Sequence, residues 1–490
     1  MIRAAPLALA ALAALAALTP AACDDTVHLE PVFELPTADD AATPRGYDDL
    51  VLSIARAGSP TDLTSRTFRP GERVELSPVQ FGDDLVVHLS GVVHLANQAG
   101  DSVVAYGRTC TFGVDADAAP PAPHLWFSRN LVFASLALAP APRTGGLAVE
   151  LEGAALVLGG GVPTVERFDP RTGALDAIGE LAPRTGAVVA PLGLPGTQLL
   201  AIAGGTLGGA PAGVLELLQP AGAGPAQIAR VDDARLARTG ATATTLTDGR
   251  VIVVGGRGPG GAPTGDLIEL IASGPGAELR TARAALAHPR AGHSATRLGD
   301  DVGAPVLIAG GAGATGAPVA TAELWKPLSG DLASPATFSP SMLVPRSGHR
   351  AELMPDGSVL FIGGVDAAGQ PIRMLERFVI DAGFVPAGEL PATSGVVEMT
   401  TTRLPDGRIL IAGGRPTPGG PAADTAFIAR LDVVDGAVDV VPTFDRLAAP
   451  RAGHHAVLLC DGTVWLGGGA APGADAPEAE RYNPPPTGRR

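Results

Sequence analysis

Seven short apolar runs, each ending in paired glycines, punctuate the chain: ALVLGG, LAIAGG, VIVVGG, VLIAGG, LFIGG, ILIAGG and VWLGGG. The doublets read Gly159 and Gly160, Gly204 and Gly205, Gly255 and Gly256, Gly310 and Gly311, Gly363 and Gly364, Gly413 and Gly414, and Gly467 and Gly468, with 45 to 55 residues between successive copies. A continuous apolar run this short predicts a strand buried on both faces rather than one face of a helix. Spacing that drifts around fifty residues predicts a repeat whose loops differ in length.

The fifth unit, RSGHRAELMPDGSVLFIGGVDAAGQPIRMLERFVIDAGFVPAGEL, divides into four strands at 349–354, 358–362, 374–379 and 384–390. The Asp356-Gly357 pair marks the hairpin between the first two, because glycine accepts positive φ. Four strands in about fifty residues is the size of a propeller blade. The seventh unit supplies three strands before Arg490, and residues 131–140 resemble the fourth strands of the first and sixth units. That segment is therefore expected to complete the seventh blade, which leaves no open sheet edge.

Two charges recur with the repeat. An arginine opens six units (Arg143, Arg184, Arg238, Arg290, Arg346, Arg451) and a glutamate starts the third strand of six (Glu166, Glu216, Glu269, Glu323, Glu376, Glu480). The sixth unit has Thr393 and Phe427 in those places. Each Arg and Glu is expected to form a buried pair, since a lone buried charge is costly. The Arg-x-Gly-His start, the Asp-Gly hairpin, the glycine doublet and the Glu-x-aromatic third strand together resemble the kelch repeat. That resemblance covers residues 130 to 485 and implies a seven-bladed kelch-type β-propeller.

Ahead of it, DLVLSIARAG, ERVELSPVQFGDDLVVHLSGVVHL and DSVVAYGRTCTFGV alternate apolar and polar residues between turn signals. They predict a small antiparallel β-sandwich at 48–117, immunoglobulin-like in kind, and an all-β chain overall. The 65 glycines and 46 prolines argue the same way, as both break helix interiors. The remaining expected boundaries are a signal peptide at 1–23, an acidic, proline-bearing spacer at 24–47, a linker at 118–130 and the propeller at 131–485.

The first residues carry Arg3, an apolar run from Ala4 to Leu18 and small residues before Cys23, the pattern of a secretory signal. Its end resembles the lipobox of bacterial lipoproteins, although Pro20 stands where leucine is usual. The resemblance implies lipidation at Cys23 and a protein of the bacterial cell envelope held to the membrane by its lipid. A net charge of -15 argues against nucleic acid as a partner, since phosphate binding needs clustered positive charge. Cys110 and Cys460 fall in separate expected domains, and a fold of this size does not need a staple between them, so they are expected to be unpaired.

Candidate chemistry is sparse. His293, His349 and His454 follow a glycine at one point of three units, where the others have Gly146, Ala187, Ala241 and Val396; recurrence of that kind predicts structure rather than a metal site. His455 and Cys460 are the residues the repeat leaves unexplained. Tyr47, Tyr106 and Tyr482 do not supply the tyrosine–cysteine set of kelch-type copper radical oxidases, and CDGTVW lacks the serine and spacing of a sialidase box. Kelch-type sugar isomerases leave no short motif to test. Trp126, Trp325 and Trp465 are too scattered for a sugar platform. The reading favoured is a monomeric, cofactor-free, non-enzymatic scaffold that binds a protein or an envelope polymer. Its alternative is a carbohydrate-active enzyme or lectin using the channel mouth, with His455, Asp300 or Arg257 around one pocket.

Overall fold

The computed structural model describes residues 26–486 apart from 38–39, 41, 75–77, 96–99, 116, 144, 195, 222–223, 275, 335–337 and 470–477. Within these residues the chain is almost entirely β, with one short 3-10 turn at Ala234–Leu236. Seven four-stranded antiparallel sheets follow one another. Six are contiguous in sequence, as in Arg350–Leu353, Val359–Ile362, Met374–Val379 and Gly383–Glu389 of the fifth. In the seventh, His455–Leu458, Val464–Gly467 and Glu480–Tyr482 are joined by Phe133–Ser135, which pairs antiparallel with Glu480–Tyr482.

The second strand of each sheet is the apolar run, and it is buried because both its faces meet neighbouring sheets. Each gap between successive sheets holds its own apolar cluster; Leu360 and Ile362 of the fifth sheet, for example, pack with Ile409 and Ile411 of the sixth. The cluster of Val457 and Trp465 from the seventh sheet with Ala155, Val157 and Phe168 from the first closes the circle. The first strands adjoin in the same cyclic order and so encircle a central axis. The arrangement is propeller-like.

The doublets work at the seams. Gly310 and Gly311 both have positive φ, 65° and 81°. The Gly311 N–H donates to the carbonyl of Arg346, which opens the next sheet, and a Cβ on Gly310 would lie 2.7 Å from that same carbonyl oxygen. No other residue fits so tight a crossing. In the seventh sheet the pair that plays this part is Gly468 and Gly469, with φ of 72° and 79°, rather than Gly467 and Gly468. Gly467 is still strand, paired with His455; three glycines in a row hide the register.

Residues 49–129 build a six-stranded antiparallel sheet that includes Asp49–Arg56, Gly82–His94, Asp101–Arg108 and Ser128–Arg129. Its apolar face packs with Leu29, Val79, Leu125 and Phe127, contributed partly by two short strand pairs, Thr26–Val27 with Val79–Gln80 and Val32–Glu34 with His124–Trp126. The segments on either side of this sheet thus take part in it.

Cys110 and Cys460 form a disulfide with Cα atoms 5.0 Å apart, contrary to the expectation of unpaired thiols. The physical reason is proximity: the hairpin of the seventh sheet lies against the six-stranded sheet, where Arg108 donates to the Cys460 carbonyl at 3.0 Å and Asn483 donates to the Tyr106 and Ser128 carbonyls at 2.8 and 3.0 Å. Among the described residues no helix is long and apolar enough to cross a membrane.

Candidate functional site

Most recurring polar residues hold the scaffold. Arg143–Glu166, Arg184–Glu216, Arg290–Glu323 and Arg346–Glu376 are ion pairs of 2.8, 2.5, 2.7 and 2.5 Å, and Arg451–Glu480 is a fifth. Arg346 shows the pattern: its Nη1 donates to the Gly363 and Met374 carbonyls while Nη2 donates to Glu376, whose carboxylate also accepts the N–H groups of Leu343 and Val344. Each pair ties an opening loop to a doublet and a third strand. Burial pulls the pKa of Arg451 down and that of Glu480 up, and their mutual attraction opposes both shifts.

Two expectations about these pairs need correction. Arg238 does not meet Glu269. The residue in register with the other glutamates is Ile268, opposite Val253, so Glu269 points to the other face and pairs with Arg250 at 2.7 Å. Arg238 donates instead to the Gly255 and Asp266 carbonyls. In the sixth sheet the position of the arginine is held by Val396, not Thr393, because the Gly364 N–H donates to the Val396 carbonyl. Val396 and Phe427 are buried in one cluster. An apolar pair has replaced the ionic one there, an exchange that packing permits.

The histidines stitch neighbouring sheets. His293 Nε2 lies 3.0 Å from Thr242 Oγ1, His349 Nε2 3.0 Å from Ser294 Oγ, and His454 Nε2 2.9 Å from Thr400 Oγ1, each hydroxyl belonging to the preceding sheet. The equivalent residue of the sixth sheet is Met399, not Val396. His455 takes the place of those hydroxyl residues in the seventh sheet, but the first sheet has only Gly146 to offer. A Cβ on Gly146 would sit 3.0 Å from His455 Nε2, so the imidazole fills the space that the next sheet's side chain occupies elsewhere.

All four rings are held neutral. Burial lowers the pKa of His293 and His349 to about 3 and that of His455 to about 4, and takes His454 well below its usual value. Unfolded histidine titrates near 6.5, so below that pH the unfolded chain binds more protons. This stability is complete above about pH 6.5 and is lost as pH falls toward the folded values. The expected result is a urea midpoint that drops between pH 7.5 and 5, with a shallower drop in His349→Gln; equal slopes would contradict neutral burial.

What the repeat does not explain gathers at one seam. The rim of the ring carries a residue of positive φ before each first strand: Gly145, Gly186, Gly240, Gly292, Gly348 and Gly453, but Glu398 (φ 55°) in the sixth sheet. A side chain held in that strained region points to function. Its carboxylate pairs with Arg415 at 2.8 Å. Beneath it, the first strands of the fifth and sixth sheets, Arg350–Leu353 and Thr400–Arg403, carry Arg350, Glu352, Thr401 and Arg403. Other inner strands offer mainly Thr, Ser, Ala and Val at these heights.

Thr401 Oγ1 donates to Glu352 Oε1 at 2.5 Å across the seam. Burial raises the Glu352 pKa, while Thr401, Arg350 and Arg403 oppose the rise. Arg350 donates through Nε to the Met399 carbonyl at 3.2 Å, and among the described residues neither it nor Arg403 has a carboxylate in ion-pair range. Arg350 is exposed, yet burial lowers its pKa. Its charge acts as far as His455 of the seventh sheet. The sequence signal for this seam was the loss of the Arg-x-Gly-His start in one unit.

Other candidates are not brought together. Asp300 pairs with Arg297 at 2.6 Å in a hairpin, Arg257 holds the Gly261 and Gly313 carbonyls at the opposite end of the strands, and His455 is buried between sheets. Tyr482 packs on Phe133, Tyr106 bonds His88 at 2.6 Å, and Tyr47 packs on Phe127. Among the described residues no three His, Cys, Asp or Glu side chains are grouped to hold a metal ion. Trp325 and Trp465 are buried. A concavity of about 840 Å³ between the seventh and first sheets is lined by Glu150, Arg171 and Cys460 among others.

No family model and no curated protein matches the chain. Among solved structures, a fungal alcohol oxidase of the AA5 family in complex with copper aligns with a TM-score of 0.54 at 14% identity, over 72% of this chain and 76% of its own. YjhT aligns with a TM-score of 0.47 at 15% identity, over 62% of this chain and 99% of its own. At such identity the likeness to the oxidase shows fold alone, and it agrees with a propeller-like all-β ring.

Proposed function

We propose that this chain is an exported, seven-bladed kelch-type propeller, lipid-anchored through Cys23, that acts as a non-enzymatic binding protein at the bacterial cell envelope. The observation that carries the binding reading is the convergence of repeat-breaking residues, Arg350, Glu352, Glu398, Thr401 and Arg403, on one water-accessible seam. A scaffold alone would have no use for unpaired arginines there. The Cys110–Cys460 disulfide supports export, since such bonds persist in oxidising compartments. Cys23 lies outside the described residues, and its lipidation is tested by fractionation. Wild type should sediment with membranes and Cys23→Ala should be released; membrane-bound Cys23→Ala would overturn the anchor.

The copper chemistry of an AA5 oxidase does not fit these residues. Cys460 is committed to Cys110, and the three tyrosines lie in separate packing sites. The raised pKa of Glu352 favours one second reading, a carbohydrate-active enzyme with Glu352 as general acid. Turnover of envelope glycans by wild type, abolished in Glu352→Gln, would establish it; binding without turnover supports the scaffold.

A further inference from the structure

The two unpaired arginines stand at different depths of one seam. In strand register Arg350 lies opposite Ile362 and Thr400 opposite Ala412, each beside its doublet, so Arg403 sits three residues deeper than Arg350. Three residues of strand amount to about 10 Å. Glu352 lies between these depths, and the charges of both arginines act on it. Elsewhere on the inner strands Arg297 has its own carboxylate in Asp300. A guanidinium presents a planar fork that matches a carboxylate in two parallel hydrogen bonds.

We propose that the seam binds a linear dicarboxylate, or a polymer segment with two carboxylates so spaced, one carboxylate on Arg350 and the other on Arg403. This rests on the reading of the chain as a binding protein and adds the chemistry of its ligand. Glu352 stands between the two arginines, where its carboxylate accepts from Thr401 and would repel a third carboxylate placed beside it, so the ligand must present an uncharged spacer there. Both arginines are exposed, so water-solvated anions can reach them. A neutral ligand leaves the arginines unmatched, and a monocarboxylate satisfies one of them.

The test is calorimetric titration of the full chain, purified in mild detergent, with adipate, hexanoate and adipamide as probes. Saturable adipate binding is expected, with hexanoate weaker by about tenfold or more, which is the loss of one charge-assisted contact, and no adipamide binding. Arg350→Gln and Arg403→Gln should each weaken adipate by a similar factor while leaving hexanoate affinity lowered by only one of the two. Both side chains face water, so unchanged thermal midpoints should show that the variants fold. Equal affinity for adipate and hexanoate, or adipate binding indifferent to both substitutions, overturns the proposal. If wild type crosslinks to an envelope partner through this seam yet binds no adipate, the dicarboxylate inference fails while the binding reading stands.

Discussion

Arg346→Met should destabilise the protein by about 3–5 kcal/mol, because it leaves the Glu376 carboxylate buried without its counter-charge. Both side chains are fully buried, 0% exposed on each side of a 2.5 Å pair. The double variant Arg346→Met with Glu376→Leu should recover most of that loss. The protein already contains such an exchange, since Val396 and Phe427 fill the equivalent space in the sixth sheet. Urea denaturation of the two single variants and the double variant measures this directly. A single-variant loss below about 1 kcal/mol would mean that the pair is screened as a surface ion pair is.

Removing the disulfide should have an effect of similar size. Cys110→Ser with Cys460→Ser is expected to cost about 2–5 kcal/mol, the usual range for a native cross-link. This bond closes a span of 350 residues between the six-stranded sheet and the ring. The remaining contacts across that boundary combine the Asn483 and Arg108 hydrogen bonds with Trp126, which packs in one apolar cluster with Phe168 and Trp465 and lies under the Arg481 guanidinium. The variant should therefore unfold at a lower urea midpoint than wild type with the bond intact, the packed boundary limiting the loss. A single transition at the wild-type midpoint would show that the bond contributes nothing to stability.

Much of the ring was legible because the repeat writes the same physics seven times. Apolar second strands, Asp-Gly hairpins and glycine doublets follow from burial on both faces and from backbone geometry, so single substitutions do not obscure them. Errors arose where local sequence allowed a slip. Three consecutive glycines at 467–469 hid the doublet by one residue, and Glu269 lies one residue past the pairing position, which on a strand reverses its face. The sixth unit has a longer opening loop, so that Thr393 seemed to stand where Val396 does. The disulfide was illegible because it depends on how the first sheet docks on the ring, a contact no repeat encodes.

The seam at the fifth and sixth sheets was invisible for a different reason. Arg350, Glu352, Thr401 and Arg403 alternate along two strands and read individually as ordinary solvent-facing residues. Only the closed arrangement turns those faces toward a common axis. His455, by contrast, looked chemically promising and is a packing residue that fills the space left by Gly146.

The most direct test of this account asks where a partner touches the protein. A photoreactive residue placed at Glu398, on the rim above the seam, should crosslink in intact cells to a partner. The same residue placed at Ala262, on the loop after the third doublet, should not. Crosslinking at Ala262 with none at Glu398 would contradict the claim that the departures from the repeat mark the binding site.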